Sequence, residues 1–566
     1  MAIVADRPEA DRPPHPSREQ AHARTDRQRL AALGLLSPLA AVIAAALAIA
    51  AAVVAIALGA SSGPAPPATG AATLVPGNAL LYLNVSTDPS RSAVREAMSS
   101  VHRLSGAALL LAGVAGRLDA MLAGPGSGTV DFATDVRPWL GPEAAFAVLD
   151  TPGASAGTLL VLDVKNHARA RAFLSAHGAA ADGAYRNVQL LREASGTTFA
   201  FVAHYLLLGQ PASVAAAIDV ARGRAHSLAS SATFVNATAG EPAGRVLDFY
   251  APAAGVRRAL APSSGLLGAL GTLLDQPALT AVTIAVSPDV GGFAVRVHSV
   301  LDPKLANAPA LRARSFTPSL AAALPAGSTM MLDVPSLTGA VPKLLAAAAK
   351  LGIAGRVASV LGRLGGALVA EGVNMHRFFS IFGSESVLAI VPGVGGSGPA
   401  PVLVGHTSRP NAAIAELADL EGPLTQAFTP PGNGGGVVPE VGTTALGRAE
   451  VSTLTLAPGF ELDWAVSHGL VVISTSPGAA AAVISHRASL SGERAYRSAS
   501  AGLPSQVTTL VFLDLGPLLR LGERTGLVGG NTLAALRPAL EQIRAIGLAT
   551  TRGESETTTQ LQIQIR

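Results

Sequence analysis

The chain has 566 residues and a formal net charge of +4, with 49% hydrophobic, 14% charged and 4% aromatic residues and no cysteine. That length supports two to four domains at roughly 150 residues each. The missing thiols exclude disulfide scaffolds, cysteine nucleophiles, iron–sulfur clusters and Cys-based zinc sites. The basic residues are mostly arginine and form no clustered patch, so nucleic acid is not an expected partner.

Residues 1–30 are polar, with six Arg against five acidic residues and little to bury. They read as a disordered tail. From Leu30 to Ala60 there is no charged residue. A run of that length exceeds the ~20 apolar residues that cross a bilayer, and exceeds the ~7–15 of a cleaved signal sequence. The reading is one transmembrane anchor over 31–60, followed by a Pro/Ala/Ser/Gly linker over 61–73. Arg24, Arg27 and Arg29 precede the run, and the next basic residue is Arg91. The positive-inside rule therefore places the N-terminus in the cytoplasm and residues 61–566 outside the cell membrane.

The exported part is similar to itself. Leu74-Val-Pro-Gly-Asn-Ala-Leu-Leu-Tyr-Leu-Asn-Val85 resembles Leu324-Pro-Ala-Gly-Ser-Thr-Met-Met-Leu-Asp-Val334, and Trp139-Leu-Gly-Pro-Glu143 resembles Ile381-Phe-Gly-Ser-Glu385. Thr158–Val164 resembles Pro401–Thr407, the region around 199–208 resembles 460–474, and Val246-Leu-Asp-Phe249 resembles Phe512-Leu-Asp-Leu515. Five matches in the same order predict two tandem repeats, at 74–302 and 324–566, joined by a linker over 303–323. Apolar runs at 79–85, 144–149, 158–164, 199–208 and 246–250 suit strands. Ser408 before Pro410, and Ser476 before Pro477, read as helix N-caps. Each repeat closes on alternating strands, 281–286 with 292–297 in the first and 557–565 in the second. The last of these should have a solvated glutamine face. The fold class is α+β with mostly antiparallel sheets, preceded by the transmembrane helix.

The anchor, the Leu-Val-Pro-x-x-x-Leu-x-Tyr strand and Asp135-Val-Arg-Pro-Trp-Leu-Gly141 together resemble the family called domain of unknown function 3352. The resemblance implies a membrane-anchored protein of high-GC Gram-positive bacteria, and it brings no activity or catalytic residues. The second repeat departs from the motif, with Ser380-Ile-Phe-Gly383 in its place.

Gly393-Val-Gly-Gly-Ser-Gly398 matches a dinucleotide-binding spacing, but a strand rather than a helix follows, so a hairpin loop is the reading. No phosphate-binding loop, zincin motif or nucleophile elbow is present, and neither cofactor nor metal is expected. His204 and His468 fall on matching strands and are candidates for a shared ligand site or pH sensor, against solvent-facing histidines. Asp248 and Asp514 are a candidate carboxylate pair, against turn or capping roles. Trp139 is a candidate stacking residue, against a core anchor. Asn84-Val-Ser86 and Asn236-Ala-Thr238 fit the glycosylation pattern incidentally. These features predict a non-enzymatic binding or scaffold protein of the cell envelope. Its partners would be the membrane and an apolar small molecule or an envelope protein. The alternative is an envelope hydrolase with unfamiliar geometry.

Overall fold

A computed structural model describes residues 65–102, 132–150, 157–260, 278–306, 314–335, 337, 375–428, 440–446, 449–457, 460–524 and 540–566. The tail at 1–30 and the apolar run at 31–60 lie outside them. No helix among the described residues is long and apolar enough to cross a membrane.

The first half supplies β1 (Ala79–Ser86), β2 (Leu140–Leu149), β3 (Gly157–Val164), β4 (Ala180–Tyr185), β5 (Val188–Arg192), β6 (Thr198–Val202), β7 (Tyr205–Gly209), β8 (Leu247–Pro252), β9 (Leu279–Asp289) and β10 (Gly292–Leu301). The second supplies β11 (Met330–Val334), β12 (Ser386–Val391), β13 (Ala400–His406), β14 (Glu440–Leu446), β15 (Ala449–Ala457), β16 (Phe460–Ser467), β17 (Leu470–Ser474), β18 (Thr509–Asp514), β19 (Ile543–Arg552) and β20 (Glu556–Ile565). Every pairing among them is antiparallel. With helices packed on this sheet, the protein is α+β.

The first half runs β4-β5-β6-β7-β3-β2-β1-β8-β9-β10 across the sheet. The second half runs β14-β15-β16-β17-β13-β12-β11-β18-β19-β20. They meet where β10 pairs with β20, from Gly292 opposite Gln564 to Val300 opposite Glu556. Alternation along β20 puts Leu561 and Ile563 opposite Val295 and Phe293. The glutamine face is not the solvated face that its polarity predicts. Gln562 is buried, because β20 has a neighbour on each side and the helix Arg494–Ser500 packs against it.

The central strands are buried on both faces, so all of β1 is buried. Leu81, Leu83, Phe146 and Leu160 pack with Trp139 and Phe173 on one side. Tyr82, Leu159, Val161 and Leu207 pack on the other with the helices Pro211–Ala221 and Ala232–Thr238. Each fully buried leucine contributes ~1.5–3 kcal/mol.

Local chemistry accounts for three departures from the sequence reading. The run at 199–208 is a hairpin, not one strand, because the chain reverses at Ala203-His204 with Ala203 at φ 51°. Arg409, not Ser408, caps the helix Pro410–Ala418, and Ser476 caps its helix without a side-chain bond. The last residues assigned to each linker are built into the fold: Ala71 and Ala72 are buried in the turn Gly70–Thr73, as are Leu320 and Ala321 in Leu320–Ala322.

Helix packing on the last pair of strands differs between the halves at one position. In the first, the Thr283 hydroxyl reaches the Ala237 carbonyl at 3.4 Å. In the second, Gly547 stands opposite Phe512, and a Cβ there would lie 1.9 Å from the Ala499 carbonyl oxygen. Gly547→Ala is expected to cost about 1–3 kcal/mol through forced separation of helix and strand. Thermal unfolding checks this, and an unchanged Tm would contradict the close approach.

Candidate functional site

Two buried glutamates head equivalent strands. Glu143, fully buried, accepts the Ala71 N–H at 3.0 Å on one carboxylate oxygen and at 3.1 Å on the other. It also accepts the Tyr205 hydroxyl at 2.9 Å. Glu385 accepts the Ser319 N–H at 2.6 Å, the Ser319 hydroxyl at 2.6 Å and the Leu320 N–H at 2.8 Å. Each carboxylate ties down the turn that leads into its half. Burial raises the Glu143 pKa, against the Ala71 N–H and the Tyr205 hydroxyl. Ser319 also meets His406 Nε2 at 3.2 Å. This serine–histidine–carboxylate contact is wired in the wrong order for a catalytic triad. Serine sits between acid and base, and the acid does not orient the imidazole.

A cavity of about 270 Å³ opens between β1, β8 and the helix Ala232–Thr238. Its walls include Tyr82, Asn84, Phe234, Glu241, Arg245, Asp248 and Tyr250. Register puts Tyr82 opposite Tyr250 and Asn84 opposite Asp248. Phe234 stands edge-on to both tyrosines, with ring centroids 5.8 Å from Tyr82 and 5.0 Å from Tyr250. Arg245 lies between two carboxylates, pairing with Glu241 at 3.1 Å and with Asp248. Arg91 braces this segment from behind, donating to the carbonyls of Ala243 at 3.0 Å and Arg245 at 2.9 Å. Burial raises the pKa of both Glu241 and Asp248; Asp248 pushes Glu241 up further, and Arg245 opposes both shifts. The pair therefore holds a proton more tightly than ordinary carboxyls. Burial also pushes Tyr250 up to about 12.

Among the polar atoms of the wall left without a hydrogen-bond partner among the described residues are those of Asn84 and Tyr82. Asn84, 1% exposed, donates from Nδ2 to the Ala68 carbonyl at 2.8 Å, which leaves Oδ1 as an acceptor with no donor. Tyr82, 2% exposed, has no partner for its hydroxyl. A buried polar atom left unpaired costs ~1–3 kcal/mol.

The second half fills the same frame differently. Leu83 pairs with Phe249 as Leu332 pairs with Val511. Gly240 and Gly502, both at positive φ, begin the matching approaches to β8 and β18. Counting from them, Leu503, Val507 and Leu510 stand where the first half has Glu241, Arg245 and Asp248. All three pack in the second core. Asp333 replaces Asn84, and burial together with the nearby Glu385 pushes its carboxyl up to about 9.

The residues singled out from sequence are dispersed. Asp248 meets Glu241 rather than Asp514. Asp514 ends β18 with its N–H on the Thr329 carbonyl at 2.8 Å, outside the register of Asp248. His204 and His468 occupy successive positions of equivalent two-residue hairpin turns rather than strands, and twelve strands stand between β7 and β17 in the sheet. That is on the order of 60 Å along the sheet at ~4.8 Å per strand. His204 is exposed, 4.0 Å from Asp163. Trp139 is 1% exposed, donates its indole N–H to the Asp135 carbonyl at 2.6 Å and packs on Phe173. Gly393–Gly398 joins β12 to β13, which pair from Val391 and Ala400. A second, more open cleft of about 580 Å³ is lined by Arg171, Arg222, Asn187, Gln189, Leu191 and Phe201 among others.

These features describe an antiparallel α+β protein with a small, charged, aromatic-walled cavity in its first half. A family profile described as a protein of unknown function (DUF3352) matches residues 39–566, and the chain belongs to that family. No protein of curated function matches the sequence. Crystal form III of TP0453 is similar over 44% of this chain and 88% of its own, at 12% identity and a TM-score of 0.26. Crystal form IV is similar over 42% and 85%, at 12% identity and a TM-score of 0.25.

The Asp333 carboxyl gives a signed pH prediction. Its folded pKa of about 9 lies above the unfolded value near 3.9, so the folded state binds more protons between them. Stability therefore falls as pH rises from about 4 to about 9. Asp333→Asn removes this slope and raises Tm at about pH 8 relative to the unsubstituted chain. Thermal unfolding at about pH 5 and about pH 8 checks it, and a lower Tm for the variant at the higher pH would contradict it.

Proposed function

We propose that this chain is a single-pass, membrane-tethered binding protein of the cell envelope, whose first half holds a small polar molecule. The observation that carries the reading is the cavity at Asn84 and Tyr82. Two of its wall residues carry buried polar atoms without partners among the described residues, beside charges that the same frame does without in the second half. Buried ion pairs are commonly neutral or unfavourable for stability relative to packed apolar residues. A fold that accepts Leu503, Val507 and Leu510 at the same positions does not need Glu241, Arg245 and Asp248 to stand. Their retention is a recognition feature.

The strand order repeated in both halves supports an origin by internal duplication, with one copy keeping the cavity. The uncharged run Leu30–Ala60, its arginine flank and a family match that begins at residue 39 support the tether, with residues 61–566 outside the membrane. Charged side chains line both clefts alongside apolar ones.

Two measurements test this. The full chain should stay with membranes through an alkaline wash, and the Ile43→Arg, Ile49→Arg double variant should be released, each arginine costing about 2.5–3.5 kcal/mol at a span centre. Native mass spectrometry of the full chain from micelles should show an added small mass that Asn84→Leu reduces. A chain washed free of membranes would contradict the tether, and the bare polypeptide mass would contradict the ligand site.

A further inference from the structure

We infer that the larger cleft of the first half binds a small organic oxyanion, an acid group on an apolar body; this site is separate from the cavity at Asn84. A fork in the sheet builds the cleft. β5 and β6 are each five residues long but pair at only three positions, ending at Leu190 opposite Ala200. Continued, the ladder would set Gln189 opposite Phe201 and Val188 opposite Val202. Those four residues instead line the cleft of about 580 Å³. Neither strand is frayed there, because Val188 pairs outward with Tyr185 of β4 and Val202 with Tyr205 of β7. The volume falls within the ~300–1,000 Å³ usual for small-molecule sites.

The charge of the cleft has one sign. Arg171 stands on the helix His167–Ala176 and Arg222 ends the helix Pro211–Ala221, and no acidic side chain lines the cleft among the described residues. Neither guanidinium has an ion-pair partner among those residues. The acids nearest in the fold are committed elsewhere, Asp219 to Arg186 and Tyr185, and Asp182 to Arg192. Arginine keeps its proton, so both charges remain for a ligand to meet. Arg171 lies over the Phe201 ring, 5.3 Å from its centroid. Stacking orders the guanidinium and keeps its in-plane N–H donors available to a carboxylate or phosphate. Leu191, Phe201 and Val202 are half-buried and supply the wall for an apolar body. The second half lacks the stacked pair. Counting from the N-caps Asn166 and Arg409, Ile414 stands where the first half has Arg171. Counting from the turns at Ala203 and His468, Val466 stands at Phe201.

The test titrates the full chain in micelles by isothermal calorimetry, against a micelle blank, with benzoate, phenyl phosphate, benzyl alcohol, benzylammonium and inorganic phosphate. Expected is saturable one-to-one binding of benzoate or phenyl phosphate, at least about tenfold tighter than benzyl alcohol and inorganic phosphate. Benzylammonium should not saturate. The tighter of the two acids identifies the oxyanion. Arg171→Ile, which copies the second half, and Arg222→Leu should each weaken it about tenfold. Arg169→Leu, on the same helix but outside the lining, should leave it unchanged. An equal loss in Arg169→Leu would reduce the effect to diffuse surface charge and overturn the site. Benzyl alcohol or benzylammonium binding as tightly as the acids would overturn the charge class. Inorganic phosphate binding as tightly as phenyl phosphate would overturn the apolar body. No saturation by any probe would overturn the inference and leave the cavity at Asn84 to its own test.

Discussion

Removing a guanidinium from water between two carboxylates is a costly local commitment of the first half. Arg245 cannot lose its charge, so Glu241 and Asp248 must stay close enough to neutralise it. The ion pairs sit in the segment that leads from Gly240 to β8, and β8 in turn hydrogen-bonds β1. Because β1 is buried on both faces and paired with β2 and β8, the position of Asn84 and Tyr82 follows from the ladder. The cavity exists where the polar wall and the three rings leave unfilled space between the sheet and the helix Ala232–Thr238.

The two halves separate what the fold needs from what one half has added. Both use a buried glutamate, Glu143 or Glu385, to hold an entry turn by backbone N–H groups. Both close with a long antiparallel pair, and those pairs join edge to edge as β10 and β20. The frame is common and the interiors differ. Leucine and valine fill the second half where charges sit in the first, and Asp333 takes the place of Asn84. A polar interior in only one of two equivalent frames is hard to assign to stability, since the apolar version packs without it.

Much of the frame was legible in the sequence. The apolar runs of β1, β2, β3 and β8 and the alternation of β20 gave strand type and antiparallel pairing, and five ordered matches gave the two stretches that share a strand order. The site was less legible. Asp248 stood out as a charge beside a strand, but a four-residue register difference separates it from Asp514, and register is set by the ladder rather than by the Leu-Asp pattern. Its partner Glu241 lies in an irregular segment that no periodicity marks. Glu143 and Glu385 were visible as a shared Gly-x-Glu inside a matched pair, yet their role depends on turns about 70 residues upstream. Asn84 resembled a glycosylation site, and only its burial and its bond to Ala68 reveal an acceptor aimed inward. His204 and His468 shared a segment type without sharing a position.

The central claim is that the first-half cavity is a ligand site and not a packing remnant. A crystal structure of the chain purified from its own cells tests it most directly. The account predicts continuous density in the cavity, larger than an isolated water, within hydrogen-bond distance of Asn84 Oδ1 and the Tyr82 hydroxyl. A cavity closed by side-chain collapse, or those two atoms bonded to protein groups, would contradict it.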